Sequence, residues 1–334
     1  MITERAKKTC GSSFRRRAEI CDAAVSKPND NTPILRAPSG NGAAYLRPPK
    51  HNTTRPTRRD FLLNAAALTG LFLLPSVLRP ATAAAKPSSK NADIFAVPNT
   101  AKTLRFIAHR GSHSLAPENS IPAFEESAKR GFWAIETDVR ITKDGHFVCC
   151  HDATLKKMFG VNERIADLTL EEIKKLPFTR GNGRENYPAE KLRPPLFSEY
   201  LEICQKHGSV PFIEIKDDVT AGVIRMLRDM KLEERAVISS TKFAHIEVAR
   251  KESKKVFLHH IFSDGEHMKK LARLGYAGLS HKRTELDDIA AALVGKTHKA
   301  GLRVCLRAGD TKETVLKMLD MGLDYIPTNA IINL

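Results

Sequence analysis

The 334-residue sequence has few cysteines, few aromatic side chains and no long uninterrupted apolar run. Its six cysteines form no CxxC pair, which excludes the common zinc-binding modules. Aromatic residues make up 6%, without the basic and aromatic stripe or RNP-like motif typical of nucleic-acid binding. An apolar content of 42% is too low for a multi-span membrane protein. We therefore expect a globular protein of one large domain or two ordinary ones, with no nucleic-acid partner.

The cysteines of the main part of the chain predict buried thiols. Cys149 and Cys150 are adjacent in an apolar run, where free cysteine behaves as a small apolar residue. Cys204 and Cys305 stand alone. An exported protein also permits a disulfide, for which the sequence indicates no pairing.

The formal net charge of +16 is concentrated at the front of the chain. Residues 1–85 hold 14 Lys and Arg against 5 Asp and Glu, which leaves 40 against 33 in residues 86–334. More than half of the excess thus lies in a segment that we expect to be unstructured or removed. The remainder is mildly basic, which suits an anionic substrate or a membrane surface.

The front of the chain carries the features of an export signal. Residues 58–85 begin with an arginine pair, followed by an apolar stretch over 61–77 and two small-x-small cleavage patterns within 81–85. This order resembles a twin-arginine signal sequence. We expect the twin-arginine export machinery to deliver the protein to the periplasm or the extracellular space. The alternative is an uncleaved anchor, but polar residues and Pro75 interrupt the stretch, so we expect no stable membrane span in the mature form.

Three other segments complete the predicted organisation. Residues 1–57 are rich in Arg, Pro, Asn and Thr and predict a disordered extension. Such a long extension before a signal is unusual, and we hypothesise that translation starts nearer to Thr57. Residues 86–103 are predicted as a linker and residues 104–334 as one domain.

From residue 104 onward the chain alternates short β-rich runs with amphipathic stretches of helical length. The predicted strands are Leu104–Ala108, Ala134–Ile141, Pro211–Lys216, Ala236–Ser239, Lys255–Leu258, Ala277–Leu279, Arg303–Leu306 and Asp324–Pro327. The predicted helices between them are Ile121–Arg130, Ser198–His207, Val219–Met230, Lys242–Ser253, Glu266–Leu274, Glu285–Lys299 and Thr311–Met321. Eight strands that alternate with helices in about 230 residues predict an α/β fold, a (β/α)₈ TIM barrel.

The second strand is followed by an irregular segment. Thr142–Gly145 predicts a hairpin turn that returns as Phe147–His151. A small insertion over 152–197 follows, in which Thr169 and Glu172 predict the capping box of a short helix.

Ionisable and polar side chains collect at the ends of the first three predicted strands. Active sites of TIM barrels form at the carboxyl ends of the strands, and polar residues are costly to bury there unless they share a role. The residues at these strand ends and in the loops beside them are His109, Arg110, Asn119, Glu136, Asp138, His151, Glu214 and Lys216. His113 is a weaker candidate that we predict at the loop surface, and His245, His259 and His260 are predicted to have structural roles.

These side chains suit the cleavage of a phosphate ester. Glu136, Asp138 and Glu214 are hard oxygen ligands for one divalent cation, Mg²⁺ or Ca²⁺. An arginine and a lysine would bind the phosphate, the arginine through two parallel hydrogen bonds and the lysine through its single positive charge. Two histidines supply an acid and a base that titrate near neutral pH.

The order of these motifs resembles the glycerophosphodiester phosphodiesterase family. The match consists of His-Arg-Gly, Pro-Glu-Asn-Ser, Glu-x-Asp-Val-x-x-Thr-x-Asp-Gly, His-Asp and Glu-Ile-Lys, over Ile107–Lys216, and is most specific over 107–152. The resemblance implies metal-dependent hydrolysis of deacylated phospholipids to glycerol 3-phosphate and an alcohol. It further implies that His109 and His151 are the acid–base pair.

By the same resemblance, the metal ligands are Glu136, Asp138 and Glu214. Arg110 and Lys216 contact the phosphate of a glycerophosphodiester substrate, and Asn119 shapes the site.

The chain departs from the family pattern at three places. Arg307 stands where the family commonly has tryptophan, which favours a more anionic or sugar-bearing substrate. Asn329 replaces the aspartate of the usual Thr-Asp-x-Pro, and Lys157-Met158 replaces the familiar Arg-Thr after the His-Asp motif.

Two alternative functions stay open. A phospholipase or sphingomyelinase-like phosphodiesterase would need apolar loops that enter a membrane, whereas the insertion is polar over Gly181–Pro188. A non-catalytic phosphate-binding barrel is disfavoured because both histidines and all three carboxylates are present. The sequence does not decide the alcohol group, the choice between the two cations or the oligomeric state.

Overall fold

The computed structural model describes residues 93–283 and 285–334. The predicted extension over 1–57 and the predicted signal sequence over 58–85 lie outside these residues. No helix within the described ranges is both long and apolar enough to cross a bilayer.

Eight parallel strands form a nearly closed barrel, as predicted. They are β1 Phe106–Ala108, β2 Ala134–Ile141, β4 Val210–Ile215, β5 Val237–Ser240, β6 Phe257–His260, β7 Ala277–Ser280, β8 Arg303–Cys305 and β9 Ile326–Thr328. Hydrogen bonds join them in the order β8-β7-β6-β5-β4-β2-β1-β9. The predicted hairpin supplies one further strand, β3 Phe147–Cys149, which pairs antiparallel with β2. The TIM-barrel prediction is thus confirmed, although β6 begins and ends two residues later than predicted.

Helices follow the barrel strands and cover the outside of the sheet. They are α1 Ile121–Lys129, α2 Lys156–Phe159, α3 Leu170–Lys174, α4 Phe197–His207, α5 Thr220–Asp229, α6 Phe243–Glu252, α7 Gly265–Leu274, α8 Asp288–Lys299 and α9 Lys312–Asp320. Short 3₁₀ turns lie at Ile165–Asp167, Arg184–Asn186, Ala189–Lys191 and Glu233–Arg235. Helix α8 starts three residues later than predicted because Asp287 caps it, accepting a 3.0 Å hydrogen bond from the Ala290 amide.

The insertion after β3 has an apolar core of its own. Phe159 and Phe178 pack with ring centroids 4.4 Å apart, and Ile173 of α3 is fully buried beside them. Helix α3 begins with the predicted capping box, in which Glu172 accepts a 2.8 Å bond from the Thr169 amide. This separate packing gives the segment a defined position beside the barrel mouth.

Aromatic rings fill the barrel at the end where the strands begin. Phe95 is buried in the segment predicted as a linker and lies 4.6 Å from the Phe257 ring. Tyr325 is fully buried beside them and contacts His259 through a 2.6 Å hydrogen bond. Cys149, Cys150, Cys204 and Cys305 are buried free thiols, which confirms that prediction.

Asp324 closes the barrel between its two end strands. Its amide donates to the Val304 carbonyl at 3.0 Å, and its Oδ2 accepts from the Val304 amide at 2.8 Å. His298 and Arg303 donate to the same carboxylate at 2.9 and 3.0 Å. A side chain therefore completes the contact between β8 and β9.

Asp324→Ala is expected to lower the free energy of unfolding by about 3 kcal/mol, because it leaves the buried Val304 amide without an acceptor. Urea unfolding followed by circular dichroism measures this loss. Asp324→Asn, which retains an acceptor, should lose about half as much. Equal stability of the alanine variant and the wild type would contradict this role of Asp324.

Candidate active site

The loop after β1 holds two site residues in strained backbone conformations. Arg110 has φ of 55° and Asn119 has φ of 51°, a left-handed region that non-glycine residues rarely occupy. The Asn119 amide donates to the Arg110 carbonyl at 3.0 Å, which joins the two residues. Gly111 follows with φ of 77°, and a Cβ atom there would lie 2.8 Å from Ala123. Strain of this kind persists where the surrounding structure enforces it and is common at functional sites.

The three predicted metal ligands converge at the carboxyl ends of β2 and β4. Glu136 and Asp138 share one face of β2 because alternate residues of a strand point the same way. Glu214 is brought beside Asp138 by the strand register, which pairs these two residues directly. One oxygen of each carboxylate lies within 4.8 Å of the others, and all three residues are at most 9% exposed.

Positively charged groups offset part of this negative charge. The Lys216 ammonium lies 2.6 Å from Glu214 Oε1 and 3.0 Å from Asp138 Oδ1. Burial beside Asp138 and Glu214 raises the pKa of Glu136 well above its usual range. Burial would also raise the pKa of Asp138, but Lys216, His151 and Arg110 outweigh it, so that pKa is lowered.

This carboxylate cluster fits a hard divalent cation. Asp138 Oδ1 is buried and accepts no well-aligned hydrogen bond from the described residues, although Lys216 lies beside it. Three carboxylates so close together repel each other unless a cation or protons neutralise them. Oxygen ligands of this kind suit Mg²⁺ or Ca²⁺.

The predicted phosphate-binding cations lie around the same cluster. The Arg110 amide donates to Glu136 Oε2 at 2.6 Å, and Arg110 Nε lies 3.6 Å from Asp138 Oδ2. Burial lowers the pKa of Arg110 and Lys216, but Asp138 and the other carboxylates raise both by more. Both side chains therefore remain positively charged at the rim of the cluster.

Asn119 connects these parts from the loop before α1. Its amide group donates to Asp138 Oδ2 at 2.9 Å, and its Oδ1 accepts from the Thr137 hydroxyl at 2.7 Å. Asn119 thereby orients one carboxylate of the predicted metal site.

The two predicted catalytic histidines have different partners at Nδ1. His109 Nδ1 lies 2.8 Å from Asn329 Oδ1, whereas His151 Nδ1 lies 2.7 Å from Asp152 Oδ1. Burial lowers the pKa of His109, and the nearby Arg110 guanidinium lowers it further. His109 is therefore neutral at neutral pH.

Four polar residues of the site were assigned no role from the sequence. Glu118 bridges Arg110 at 3.1 Å and Lys157 at 2.9 Å, so it orients the arginine. Asp152 and Asn329 are the histidine partners. The fourth is Arg140, which follows the ligands on the same face of β2. Asp152 and Glu118 belong to the His-Asp and Pro-Glu-Asn-Ser motifs, so the sequence could have indicated both. Asn329 gave no such indication, because it lies 220 residues from His109.

His245, His259, His260 and Arg307 lie outside this cluster, whereas His113 lies beside His109, with ring centroids 6.0 Å apart. His259 and His260 are both buried, against Tyr325 and Ser263 respectively. His245 bridges Ser240 and Asp218. His113, predicted at the loop surface, is half-buried instead, and its Nε2 donates to Asn329 Oδ1 at 3.0 Å, the atom that also faces His109. Arg307 is exposed and makes no ion pair with the described part of the chain.

Comparisons with known proteins identify the family of this chain. Residues 109–333 match the Glycerophosphoryl diester phosphodiesterase family. A glycerophosphodiester phosphodiesterase of Caldanaerobacter subterraneus is 30% identical over 246 residues, covering 70% of this chain and 98% of the relative.

Solved structures share the fold. A glycerophosphodiester phosphodiesterase of Agrobacterium tumefaciens superimposes with a TM-score of 0.60 at 20% identity, covering 68% of this chain and 96% of that structure. A phosphodiesterase of Oleispira antarctica, in complex with the product sn-glycerol-3-phosphate, gives a TM-score of 0.60 at 23% identity, covering 67% and 92%. Because the family match spans most of the chain and the Caldanaerobacter relative aligns over nearly its whole length, the chain belongs to the glycerophosphoryl diester phosphodiesterase family and is a phosphoric diester hydrolase.

Proposed function

We propose that the protein hydrolyses glycerophosphodiesters, the deacylated phospholipids, to glycerol 3-phosphate and an alcohol, with one divalent cation. The observation that carries this proposal is the meeting of three buried carboxylates, two histidines, one arginine and one lysine at one end of the barrel. The product bound by the Oleispira relative is consistent with that substrate class.

Glu136, Asp138 and Glu214 would hold the cation, Mg²⁺ or Ca²⁺. When bound, such an ion offsets the negative charge that develops at phosphorus. Arg110 and Lys216 would bind the phosphate oxygens, and Asn119 keeps Asp138 oriented toward the centre of the site.

The hydrogen bonds of Asn329 favour His109 as the base. The Asn329 amide nitrogen donates to Asp310 at 2.9 Å, so its oxygen faces His109 and requires a proton on Nδ1. The Nε2 lone pair of the neutral ring is then free to accept a proton. We assign His109 to take the proton of the glycerol 2-hydroxyl as that oxygen attacks phosphorus.

The carboxylate partner of His151 favours the complementary role. Asp152 accepts a hydrogen bond from Nδ1, so a proton on Nε2 points away from the aspartate and stays available for transfer. We assign His151 to give this proton to the alcohol as its bond to phosphorus breaks. A cyclic phosphate of glycerol results, and water opens it with the two histidines in exchanged roles, which restores both rings.

A water-soluble diester fits the barrel mouth better than a membrane lipid. The residues of the insertion over 181–186 are polar and mostly exposed, which offers no apolar surface for a bilayer. We further propose export through the twin-arginine machinery, on the basis of residues 58–85. Cell fractionation of the expressed full-length chain tests that location.

The purified full-length protein is expected to release glycerol 3-phosphate from glycerophosphocholine and glycerophosphoethanolamine with Mg²⁺ or Ca²⁺. In EDTA the rate should fall by at least about 100-fold, because the carboxylates alone repel a phosphate. An enzymatic glycerol 3-phosphate assay measures both rates. A folded protein that releases nothing with either cation would contradict the proposed substrate class.

A further inference from the structure

Arg140 follows Glu136 and Asp138 on the same face of β2, two residues farther along the strand. Its Nε and Nη2 donate to the His151 carbonyl at 3.0 and 2.7 Å. Its Nη1 donates to Asp217 Oδ1 at 2.8 Å. One side chain, 14% exposed, therefore joins the backbone of a predicted catalytic histidine to the loop after β4.

Asp217 is held in place independently of Arg140. Its Oδ2 accepts from the Ile141 amide at 3.1 Å, and its carbonyl accepts from the Val219 amide at 2.8 Å. The next residue, Asp218, contacts the buried His245 at 2.9 Å. Asp217 is thus a fixed anchor for the Arg140 guanidinium, beside the end of β2.

His151 has much less support of its own. It lies two residues beyond the end of β3, and its side chain is 33% exposed with one hydrogen bond, to a partly exposed Asp152. The backbone before His151 is held by the buried Cys150, whose amide donates to the Asp138 carbonyl at 2.9 Å. The two donors of Arg140 on the His151 carbonyl then fix the histidine itself.

We propose that Arg140 is a positioning residue that holds His151 where it can protonate the leaving alcohol. This role rests on the proposed function, and in particular on His151 as the acid. Lysine would keep the charge but has a single ammonium in place of the planar fork, so it cannot make the same paired contacts with both the carbonyl and the carboxylate.

Substrates with different leaving groups test this role. The alcohol of glycerophosphocholine needs a proton as it leaves, whereas the 4-nitrophenyl ester of glycerol 3-phosphate loses a stable phenolate without one. Arg140→Met is expected to lower kcat on glycerophosphocholine by about 100-fold, with KM little changed. On the nitrophenyl ester, nitrophenol release should fall by less than about 5-fold. Arg140→Lys should give an intermediate loss with the same dependence on leaving group.

A matched control is available on the outside of the barrel. Arg228 likewise joins a carboxylate and a carbonyl, those of Glu233 and Glu252, at 3.1 and 2.9 Å. Arg228→Met should leave both rates unchanged. The thermal unfolding midpoint of each variant reports folding, and Arg140→Lys replaces the methionine variant if the latter does not fold.

Equal losses on both substrates in a folded Arg140 variant would contradict the positioning role and indicate a general structural one. Wild-type protein that cleaves neither substrate would instead contradict the proposed function, and the positioning role with it.

Discussion

Glu136→Gln is expected to lower kcat at saturating Mg²⁺ by about 1000-fold, which corresponds to about 4 kcal/mol of transition-state stabilisation. The substitution retains the size of the side chain and its ability to accept the hydrogen bond from the Arg110 amide. It removes one of three negative charges from the proposed cation site. Isothermal titration calorimetry should show correspondingly weaker Mg²⁺ binding.

The same substitution is expected to have the opposite effect on stability without metal. Burial beside two carboxylates raises the pKa of Glu136, so its ionised form is disfavoured in the folded state. The protonated Glu136 side chain contributes to stability at low pH, and this contribution is lost as the pH rises through the raised pKa. Glutamine stays neutral at every pH and loses nothing. In EDTA at pH 8 the variant should therefore resist urea at least as well as the wild type. With Mg²⁺ the order should reverse, because ligand binding stabilises the wild type more.

Glu233→Gln is the matched control, since Glu233 is another buried glutamate but pairs with Arg228 outside the site. It should leave kcat and Mg²⁺ affinity unchanged. A Glu136→Gln enzyme that keeps full Mg²⁺-dependent activity would remove Glu136 from the ligand set.

Much of the fold could be predicted because its signals are local. Strand and helix periods differ, and glycines such as Gly131 and Gly322 end helices just before strands. The prediction ended β6 at Leu258 with the two histidines at its end, whereas the strand continues through His259 and His260, both of which are buried. Burial of polar rings depends on partners such as Tyr325, which lies 66 residues away and cannot be inferred from neighbouring positions.

The site likewise has parts that could be predicted from local sequence and parts that depend on residues distant in sequence. The carboxylates on β2 and β4 could be predicted to meet because residues near the carboxyl ends of parallel strands gather at one end of a barrel. The register that pairs Asp138 directly with Glu214 was found only in the structure. The contacts that orient the machinery could not be predicted, since they join loops distant in sequence. Asn329 replaces a charged family residue and was therefore recognised as unusual, but its amide orientation depends on Asp310. The role of Arg140 could not be predicted, because an arginine on the solvent-exposed face of a strand has the same sequence pattern.

His109→Ala and His151→Ala are expected to differ in their dependence on the leaving group. Attack by the 2-hydroxyl is common to both substrates, so loss of His109 should lower kcat by about 1000-fold on each. Loss of His151 should cost about 1000-fold on glycerophosphocholine but about 10-fold or less in nitrophenol release. His207→Ala, an exposed histidine at the end of α4, is the control and should change neither rate.

The fate of the cyclic phosphate adds a second readout for the same pair. In the second step water opens the cyclic phosphate and must give up a proton. The acceptor is the histidine that protonated the leaving alcohol in the first step, which is His151 in the proposed assignment. His151→Ala acting on the nitrophenyl ester should therefore accumulate cyclic glycerol phosphate, visible by ³¹P NMR, whereas the wild type should accumulate glycerol 3-phosphate. If His109→Ala instead spared the nitrophenyl ester, the acid and base would have to be exchanged. His109 would then keep its Nδ1–H bond to Asn329 Oδ1 and carry a second, transferable proton on Nε2.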